Sequence, residues 1–284
     1  MKKVFGLILV ILCCAEFVDA QSFYNFRNTR KFIVSVGSGV TSYFGDLNDP
    51  GDVIDTRPNL NVGLQYFFTN RVSARAELTW LQLSGDDESS EAVGRQLRNL
   101  SFVSDNFELT AVGIINAFPN GAKFYQRPYF NAYAFAGLGV LYFNPKGELN
   151  GEKIALQPLQ TEGVDYSRTT IVVPLGGGIK VKAGPFFNVV LEGGYRITFT
   201  DYLDDVSTTY IANSSFTDDV ARVLADRRPE IGLPVLEPGS KRGNPDKNDG
   251  YLIFSVKVEY FLPNAPIKKT NYKRRRRNRG VRRR

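Results

Sequence analysis

The feature that most constrains this chain is a repeated alternation of apolar and polar residues. From Asn188 to Thr200, every second residue is apolar or glycine: Val189, Leu191, Gly193, Tyr195, Ile197 and Phe199. A period of two predicts a β-strand with one apolar and one polar face. The strand stops abruptly at an acidic segment that begins at Asp201, as a membrane strand does where it enters water.

The same pattern predicts eight strands along the chain. They cover 32–44, 59–69, 71–83, a long segment that ends at Phe118, 129–143, 169–181, 188–200 and 252–260. Short links follow the second, fourth and sixth strands, and long loops follow the others. Outer-membrane barrels have this asymmetry, with short periplasmic turns and longer outer loops. The sequence therefore predicts an all-β fold, an eight-stranded antiparallel transmembrane β-barrel of OmpA-like size over residues 32–262.

Aromatic residues are predicted to form two belts, one at each end of the strands. They are Phe68, Phe118, Tyr129, Phe187 and Tyr260 near the short links, and Phe44, Trp80, Phe143, Phe199 and Tyr251 near the long loops. Aromatic residues gather at the two interfaces of a membrane. The alternative is a soluble β-sandwich or lipocalin-like barrel, whose apolar rows face a core. The loop asymmetry and the paired belts favour the membrane barrel.

The first twenty residues have the pattern of a secretory signal. Lys2 and Lys3 precede an eleven-residue apolar run, and Ala20 precedes a predicted cut before Gln21. The run is too short to cross a bilayer as a helix, which needs about 20 residues. We therefore expect export, with residues 1–20 as signal peptide and 21–31 as a periplasmic lead. A lipoprotein would need a small residue before its acceptor cysteine, and the residues before Cys13 and Cys14 fit poorly.

Two residue types are missing from the expected mature chain, and their absence limits its chemistry. Both cysteines lie within the signal, and the sequence has no histidine. Disulfides, thiol catalysis, cysteine zinc sites and histidine-based triads are thereby excluded. No nucleophile elbow or metal-ligand motif is present, so no catalytic residue and no cofactor is predicted.

The net charge of +7 comes from the end of the chain. Residues 264–284 contain eleven lysines and arginines and no acid, and the rest has 25 basic against 29 acidic residues. We expect residues 263–284 to be a disordered periplasmic tail, since both ends of an even-stranded barrel lie on one side. Its charged residues are Lys273, Arg274, Arg275, Arg276, Arg277, Arg279, Arg282, Arg283 and Arg284. An anionic periplasmic partner suits this tail better than nucleic acid, although diffuse attraction alone is the alternative.

The inward rows of the strands predict a charged lumen. Its members are Arg75, Glu77, Glu108, Lys180, Lys182, Glu192, Arg196, Lys257 and Glu259. An eight-stranded barrel is only wide enough to be filled by its side chains. Five cations and four anions therefore predict a plug of ion pairs rather than an open pore. A small-solute channel remains the alternative, because the sixth and seventh strands are rich in glycine.

The acidic segment after the seventh strand contains Asp201, Tyr202, Asp204 and Asp205. Carboxylates at such spacing bind Ca²⁺ in some proteins, yet loop carboxylates are usually solvated. An outer-membrane enzyme acting on lipid or glycan is a further alternative, which only these acids would support.

Five segments carry a family resemblance: YFGDLN (43–48), RNLSF (98–102), YFNP (142–145), LQPLQTEG (156–163) and RITFTDYLDDVST (196–208). They resemble segments of the PorG-like outer-membrane barrels of the Bacteroidota type IX secretion system. The last two are the most specific, and the resemblance covers residues 32–262.

This resemblance implies a barrel in the outer membrane of a Gram-negative bacterium, in contact with outer-membrane lipid and with both termini in the periplasm. It also implies a non-enzymatic component that contacts or anchors the periplasmic ring of PorK and PorN and supports secretion and gliding motility. The family is broad, so a paralogue serving another assembly is the alternative. The basic tail lies outside the resemblance.

Overall fold

The structure is a computed structural model that describes residues 30–49, 55–121 and 126–262. The predicted signal peptide (1–20), residues 21–29 of the predicted lead and the predicted basic tail (263–284) lie outside the described residues. Everything below refers to the described part of the chain.

Eight long antiparallel strands close into a barrel. They are β1 (Phe32–Phe44), β2 (Thr56–Phe67), β3 (Val72–Asp86), β4 (Ser101–Asn116), β5 (Phe130–Tyr142), β8 (Thr169–Lys182), β9 (Phe187–Thr198) and β10 (Gly250–Phe261). Their order around the wall is β3-β2-β1-β10-β9-β8-β5-β4, and the β3–β4 pairing closes the ring. The predicted eight-stranded antiparallel barrel is thereby confirmed.

Proline inside a strand often marks a bulge or the rim of a sheet, but Pro174 lies within β8 without forming a bulge. The β8–β9 register runs unbroken through Pro174, which pairs with Arg196. On the other side, Ala136 pairs with Leu175 and Gly139 with Val172, which is the same offset on both sides of the proline. Proline removes one N–H donor, but no extra residue is inserted to form a bulge.

Smaller elements lie within the long connections. A hairpin of β6 (Pro145–Leu149) and β7 (Glu152–Ala155) extends the sheet beside β4. Its turn residues Asn150 and Gly151 have φ of 53° and 84°, the left-handed pair that a two-residue hairpin needs. Helices α1 (Val93–Gln96) and α2 (Asp219–Ala225) are short. No helix in the described ranges has the length and apolar character to cross a membrane.

The outer wall is apolar and the inner wall is polar. Leu60, Leu109 and Leu138 are 55–64% exposed on the outside, whereas Glu77 and Lys257 are 3% and 2% exposed inside. A soluble barrel would have the opposite arrangement, and so large an exposed apolar surface requires a lipid environment. The soluble alternative is therefore rejected, and the barrel is of the outer-membrane type.

The aromatic belts are confirmed in part. Phe68, Phe118, Tyr129 and Phe187 are exposed at the end with the short links, and Phe199 is exposed at the opposite end. Phe143 and Tyr251, however, are fully buried, so their assignment to the outer belt is wrong. Both pack into a hydrophobic cluster over the mouth of the barrel, where each ring buries a large apolar surface.

Candidate functional site

Glu192 lies at the centre of an ion-pair cluster in the lumen. Its carboxylate accepts two hydrogen bonds from the Arg75 guanidinium, each 2.7 Å, and one from Lys257 Nζ at 2.7 Å. The Tyr133 hydroxyl donates to the same carboxylate. Glu77 accepts from Lys257 at 2.7 Å and lies 3.2 Å from Arg75 Nε. Four charged side chains from β3, β9 and β10 therefore neutralise one another across the barrel.

Two further pairs extend the network along the lumen. Lys180 donates to Glu259 at 2.7 Å, and Asn188 supports the same carboxylate at 2.8 Å. Arg196 Nε lies 3.5 Å from Glu108, which also accepts a hydrogen bond from Tyr251.

Eight of the nine predicted lumen residues thus meet in these ion pairs, and the ninth, Lys182, also faces the lumen, since it lines a cavity together with Lys180 and Glu259. Lys182 is half-buried at the end of β8, where it lines a small polar cavity beside Asn120 and Arg127. It is the last residue of its strand. The other eight residues, four cations and four anions, balance one another in charge.

Inward-facing glycines make room for two aromatic rings in the lumen. An added Cβ on Gly178 would lie 2.7 Å from the Tyr133 hydroxyl, and one on Gly176 or Gly194 would lie 2.7 Å from Phe135 Cζ. Strand β5 is apolar on both faces, and its Tyr133 and Phe135 point inward. The glycines of β8 and β9 do not widen a pore, because aromatic side chains from β5 fill the space they leave.

The long-loop end of the barrel is closed by a folded structure, here called the cap. It consists of residues 45–49, 87–100, 143–168 and 199–249, together with the strand ends beneath them. Its hydrophobic core contains Tyr43, Leu47, Leu81, Leu83, Leu100, Phe102, Leu141, Phe143, Leu156, Tyr166, Val172, Leu203, Val206, Leu224, Tyr251 and Ile253. The loops are therefore packed over the mouth rather than extended into solvent.

The five segments that carry the family resemblance meet in this cap. Tyr43 of the first segment packs edge-on against Phe102 of the second, with ring centroids 5.0 Å apart. Phe143 of the third stacks on Tyr166 at 6.3 Å, and Tyr166 stacks on Tyr202 of the last at 4.6 Å. Segments that are far apart in sequence thus form one contact surface inside the cap.

Glu162 and Asp205 connect two of these segments through Arg242. The Glu162 carboxylate accepts the backbone N–H groups of Ser207 and Thr208 at 2.9 Å and an Arg242 hydrogen bond at 2.8 Å. Asp205 accepts from the hydroxyls of Thr161 at 2.5 Å and Tyr166 at 2.6 Å. Asp205 itself has a positive φ of 69°, a backbone conformation that aspartate tolerates better than most residues.

A second acidic group lies next to the first, at the top of β1. The Tyr43 hydroxyl lies 2.7 Å from Asp204 Oδ2 and 2.9 Å from Asp249 Oδ1. Burial raises the pKa of both carboxyls well above the usual range. Burial also raises the pKa of Asp201 to about 7, and its Oδ2 atom accepts no hydrogen bond from the described residues.

The expectation that these loop acids are solvated is therefore wrong. Asp201 is 8% exposed, and Asp204 and Asp205 are each 1% exposed. Tyr202 is half-buried in the aromatic stack. No group of three or more acidic residues in the described ranges is arranged to hold a metal ion. The acids act within the cap as acceptors for hydroxyl, backbone and guanidinium donors.

The sequence did not single out several residues that organise the cap. Arg98 clamps Asp87 with two hydrogen bonds of 2.6 Å and also donates to the Asp46 carbonyl at 2.8 Å. Tyr43, Arg98 and Glu162 lie inside segments that carry the family resemblance, and this position could have marked them as candidates. Asp249 and Arg242 lie outside any motif, and nothing local marks them as buried.

Comparison with known proteins places the chain in a family and adds only broad similarities. The model of a domain of unknown function, DUF6089, matches residues 2–217. No curated protein matches the chain.

Several solved structures of outer-membrane barrels are similar. Neisserial surface protein A is 10% identical with a TM-score of 0.43, and covers 81% of this chain and 97% of its own. Ail of Yersinia pestis, solved with the heparin analogue sucrose octasulfate, is 11% identical with a TM-score of 0.40 over 82% and 99%. The outer membrane enzyme PagL is 13% identical with a TM-score of 0.34 over 81% and 99%. The fold assignment rests on the strand pairings of the chain itself.

Proposed function

The chain belongs to the DUF6089 family, and we propose that it is a non-enzymatic outer-membrane component of the type IX secretion and gliding machinery. In this role it contacts or anchors the periplasmic ring of PorK and PorN at the outer membrane. The link to this machinery comes from the five resemblance segments. The choice of a scaffold over a conduit comes from the geometry of the barrel.

The observation that carries the proposal is that both the lumen and its mouth are filled. Neutral ion-pair clusters and two aromatic rings occupy the lumen, and the cap core covers one end. A barrel of eight strands has no spare width for a channel beside such contents. A closed barrel serves best as an anchor that presents its ends to partners.

The short-link end is the proposed contact face for the ring. Arg127 donates to the backbone carbonyls of Gly184, Pro185 and Phe187 at 2.8–3.0 Å and lies 4.6 Å from the Phe261 ring centroid. One arginine thereby holds two connections and the last strand in a fixed arrangement. The first and last residues of the described barrel chain, Arg30 and Leu262, both lie on this face. We place it in the periplasm, with the cap outside.

Site-specific photo-crosslinking from native membranes tests this orientation and partner together. A crosslinker at Asn70 or Ala183, on the short-link end, is expected to capture the ring proteins. The same crosslinker at Val93 or Val235, both exposed on the cap, is the matched control and is expected to capture none. Repeated absence of ring proteins from Asn70 and Ala183 at native expression would overturn the proposal.

A general outer-membrane barrel unrelated to secretion is the alternative with the same architecture, and a small-solute channel is its functional variant. Deletion of the gene distinguishes a secretion component from a general barrel. If the protein is a general barrel, the deletion leaves type IX secretion and gliding unchanged. Planar-bilayer recording of the purified protein addresses the channel, and we expect no conductance steps.

An enzyme acting on lipid or glycan was motivated by the outer acids alone. Their burial and their hydrogen bonds to Tyr43, Thr161 and Tyr166 leave them little access to a substrate. The lipid profile of cells carrying Asp201→Asn, Asp204→Asn and Asp205→Asn together is expected to equal that of the wild type.

The basic tail is proposed to bind an anionic partner in the periplasm, such as lipid headgroups or an acidic protein. Truncation after Tyr272 removes nine positive charges and leaves the barrel strands complete. We expect this truncation to weaken salt-sensitive association with membranes or with the partner while the barrel still folds.

A further inference from the structure

Tyr43 contacts two carboxyl groups with a hydroxyl that has only one proton to donate. Its Oη lies 2.7 Å from Asp204 Oδ2 and 2.9 Å from Asp249 Oδ1, and both distances are those of hydrogen bonds. The phenol satisfies one carboxylate. The second oxygen faces a lone pair on Oη, and this contact is favourable only when that carboxyl group carries a proton of its own.

The remaining oxygens of the two carboxyl groups are already occupied. Asp204 Oδ1 accepts the Val206 N–H and Asp249 Oδ2 accepts the Leu203 N–H, each at 2.9 Å. The two aspartates are 1% and 2% exposed. A Cβ on Gly45 would lie 1.8 Å from Tyr43 Oη and 2.0 Å from Asp249 Oδ1, so the chain packs directly against the trio.

The charges around the trio favour protonation. Among the described residues, no lysine or arginine nitrogen lies within 4.0 Å of either carboxyl group. Asp46 faces Asp204, and Asp201 faces Asp249, so two more acids add negative potential. Arg98 acts on Asp204 from the neighbouring loop, and its guanidinium is bonded to Asp87. The neutral hydroxyls of Tyr166 and Tyr195 complete the surroundings.

We propose that Asp204 and Asp249 share one proton across the Tyr43 hydroxyl, and that this proton fastens the longest loop of the cap to the barrel. The pair then carries a single negative charge. Tyr43 Oη donates to one carboxylate oxygen and accepts from the protonated carboxyl group of the other aspartate. Asp204 and Asp249 stand near the two ends of the loop 199–249, while Tyr43 stands on β1. The shared proton therefore ties both ends of the loop to the wall.

The direction of the pH dependence follows from the retained proton. An unfolded loop releases protons from both aspartates above about pH 4, whereas the closed cap keeps one. Stability from this contact is complete below about pH 4 and declines as pH rises, until the proton is lost from the closed cap as well. Each pH unit in that window raises the opening equilibrium up to about tenfold per retained proton.

Hydrogen exchange of the mature protein in bilayers tests the proposal. The readout is the protection factor of the amides of Leu203 and Val206 between about pH 5 and pH 8. The Asp249→Asn variant is isosteric, and its amide donates to Tyr43 while its oxygen accepts from Leu203. In this variant we expect the protection factors to fall less steeply with rising pH than in the wild type. The difference between the two slopes is up to about tenfold per pH unit. The Asp226→Asn variant, altered at a buried loop acid outside the trio, is expected to keep the wild-type decline.

Infrared spectroscopy supplies a readout that does not depend on loop opening. At about pH 7 the wild type and Asp226→Asn are expected to show a protonated carboxyl C=O band that is weaker in Asp204→Asn and in Asp249→Asn, where only the contribution of other protonated acids such as Asp201 remains. Equal bands in all four proteins, or equal pH dependence of exchange in the wild type and Asp249→Asn, would overturn the shared proton. The crosslinking result for the ring proteins has no bearing on this outcome, because it probes the opposite end of the barrel.

Discussion

The lumen and the cap both bury carboxyl groups, but they neutralise them by different means. In the lumen, Glu77, Glu108, Glu192 and Glu259 face Arg75, Lys180, Arg196 and Lys257, one fixed cation for each anion. In the cap, seven buried carboxyl groups share the two guanidinium groups of Arg98 and Arg242. They are Asp87, Glu162, Asp201, Asp204, Asp205, Asp226 and Asp249.

This difference determines how the stability of each region depends on pH. A buried ion pair with matched charges has little dependence on pH near neutrality, whereas an excess of buried acids is stabilised by protons from the solvent. We therefore expect a rigid lumen that is insensitive to pH beneath a cap that responds to it. The predictions below test this contrast.

The largest effect is expected from Glu192→Gln in the lumen. This change leaves Arg75 and Lys257 without their central partner, and removing one member of a buried ion pair costs about 3–5 kcal/mol. Unfolding by urea in lipid, followed by the gel shift of the heat-modifiable barrel, measures the loss. Arg57→Met is the control, because the Arg57–Asp55 pair is more than 40% exposed and is expected to contribute less than about 1 kcal/mol. Equal losses in the two variants would contradict the importance of the cluster.

The second effect concerns the space that the inward glycines leave. A valine at position 178 would place its Cβ 2.5 Å from the Leu191 carbonyl oxygen and 2.7 Å from the Tyr133 hydroxyl. Gly178→Val is therefore expected to destabilise the barrel by about 1–3 kcal/mol through overpacking. Gly113→Val on the lipid-facing side, where the nearest atom is 3.8 Å away, is expected to be tolerated. The same urea titration compares the two variants.

Asp201 tests the expected pH response of the cap directly. Because burial raises its pKa to about 7, its protonated form stabilises the closed cap. This stability is complete below about pH 4 and is lost as pH rises towards 7, at up to about 1.4 kcal/mol per pH unit. Asp201→Asn is expected to flatten the pH dependence of cleavage in loop 199–249 by a soluble protease. Urea unfolding of the barrel itself is expected to change little over the same pH range.

The smallest effect is expected from Tyr166→Phe in the cap. The variant keeps the aromatic stack on Phe143 and Tyr202 but loses the hydroxyl that donates to Asp205 at 2.6 Å. Loss of one hydrogen bond is expected to weaken the cap by about 1 kcal/mol, visible as faster hydrogen exchange in 199–249. Tyr142→Phe on the lipid-facing wall serves as control and is expected to leave exchange unchanged.

The sequence predicted the wall of the barrel well, because a period of two determines which side chains face inward. It therefore also placed Arg75, Glu192 and Lys257 in one lumen. It also placed Lys182 on the inner face, where that residue lines a cavity beside Lys180 and Glu259. The β6–β7 hairpin was missed because Pro145 and Gly147 interrupt any alternation.

The cap was the least predictable region. Its acids look solvated in sequence, since each stands in a polar loop. Their burial depends on contacts with distant segments: Asp204 and Asp249 lie 161 and 206 residues along the chain from Tyr43, whose hydroxyl they contact. No local pattern records such contacts, although the resemblance segments marked several of the residues involved.

The pairing of β1 with β10 has a consequence for biogenesis. Arg30 donates to the Phe261 carbonyl 231 residues away, and Ile33 pairs with Phe261 itself. Until the last strand arrives, β1 and β9 present unpaired edges that attract other chains. The first strand must therefore be kept from aggregating until β10 is available to pair with it. Loss of the β10 segment would leave an open sheet that quality-control proteases can recognise, whatever the state of the cap.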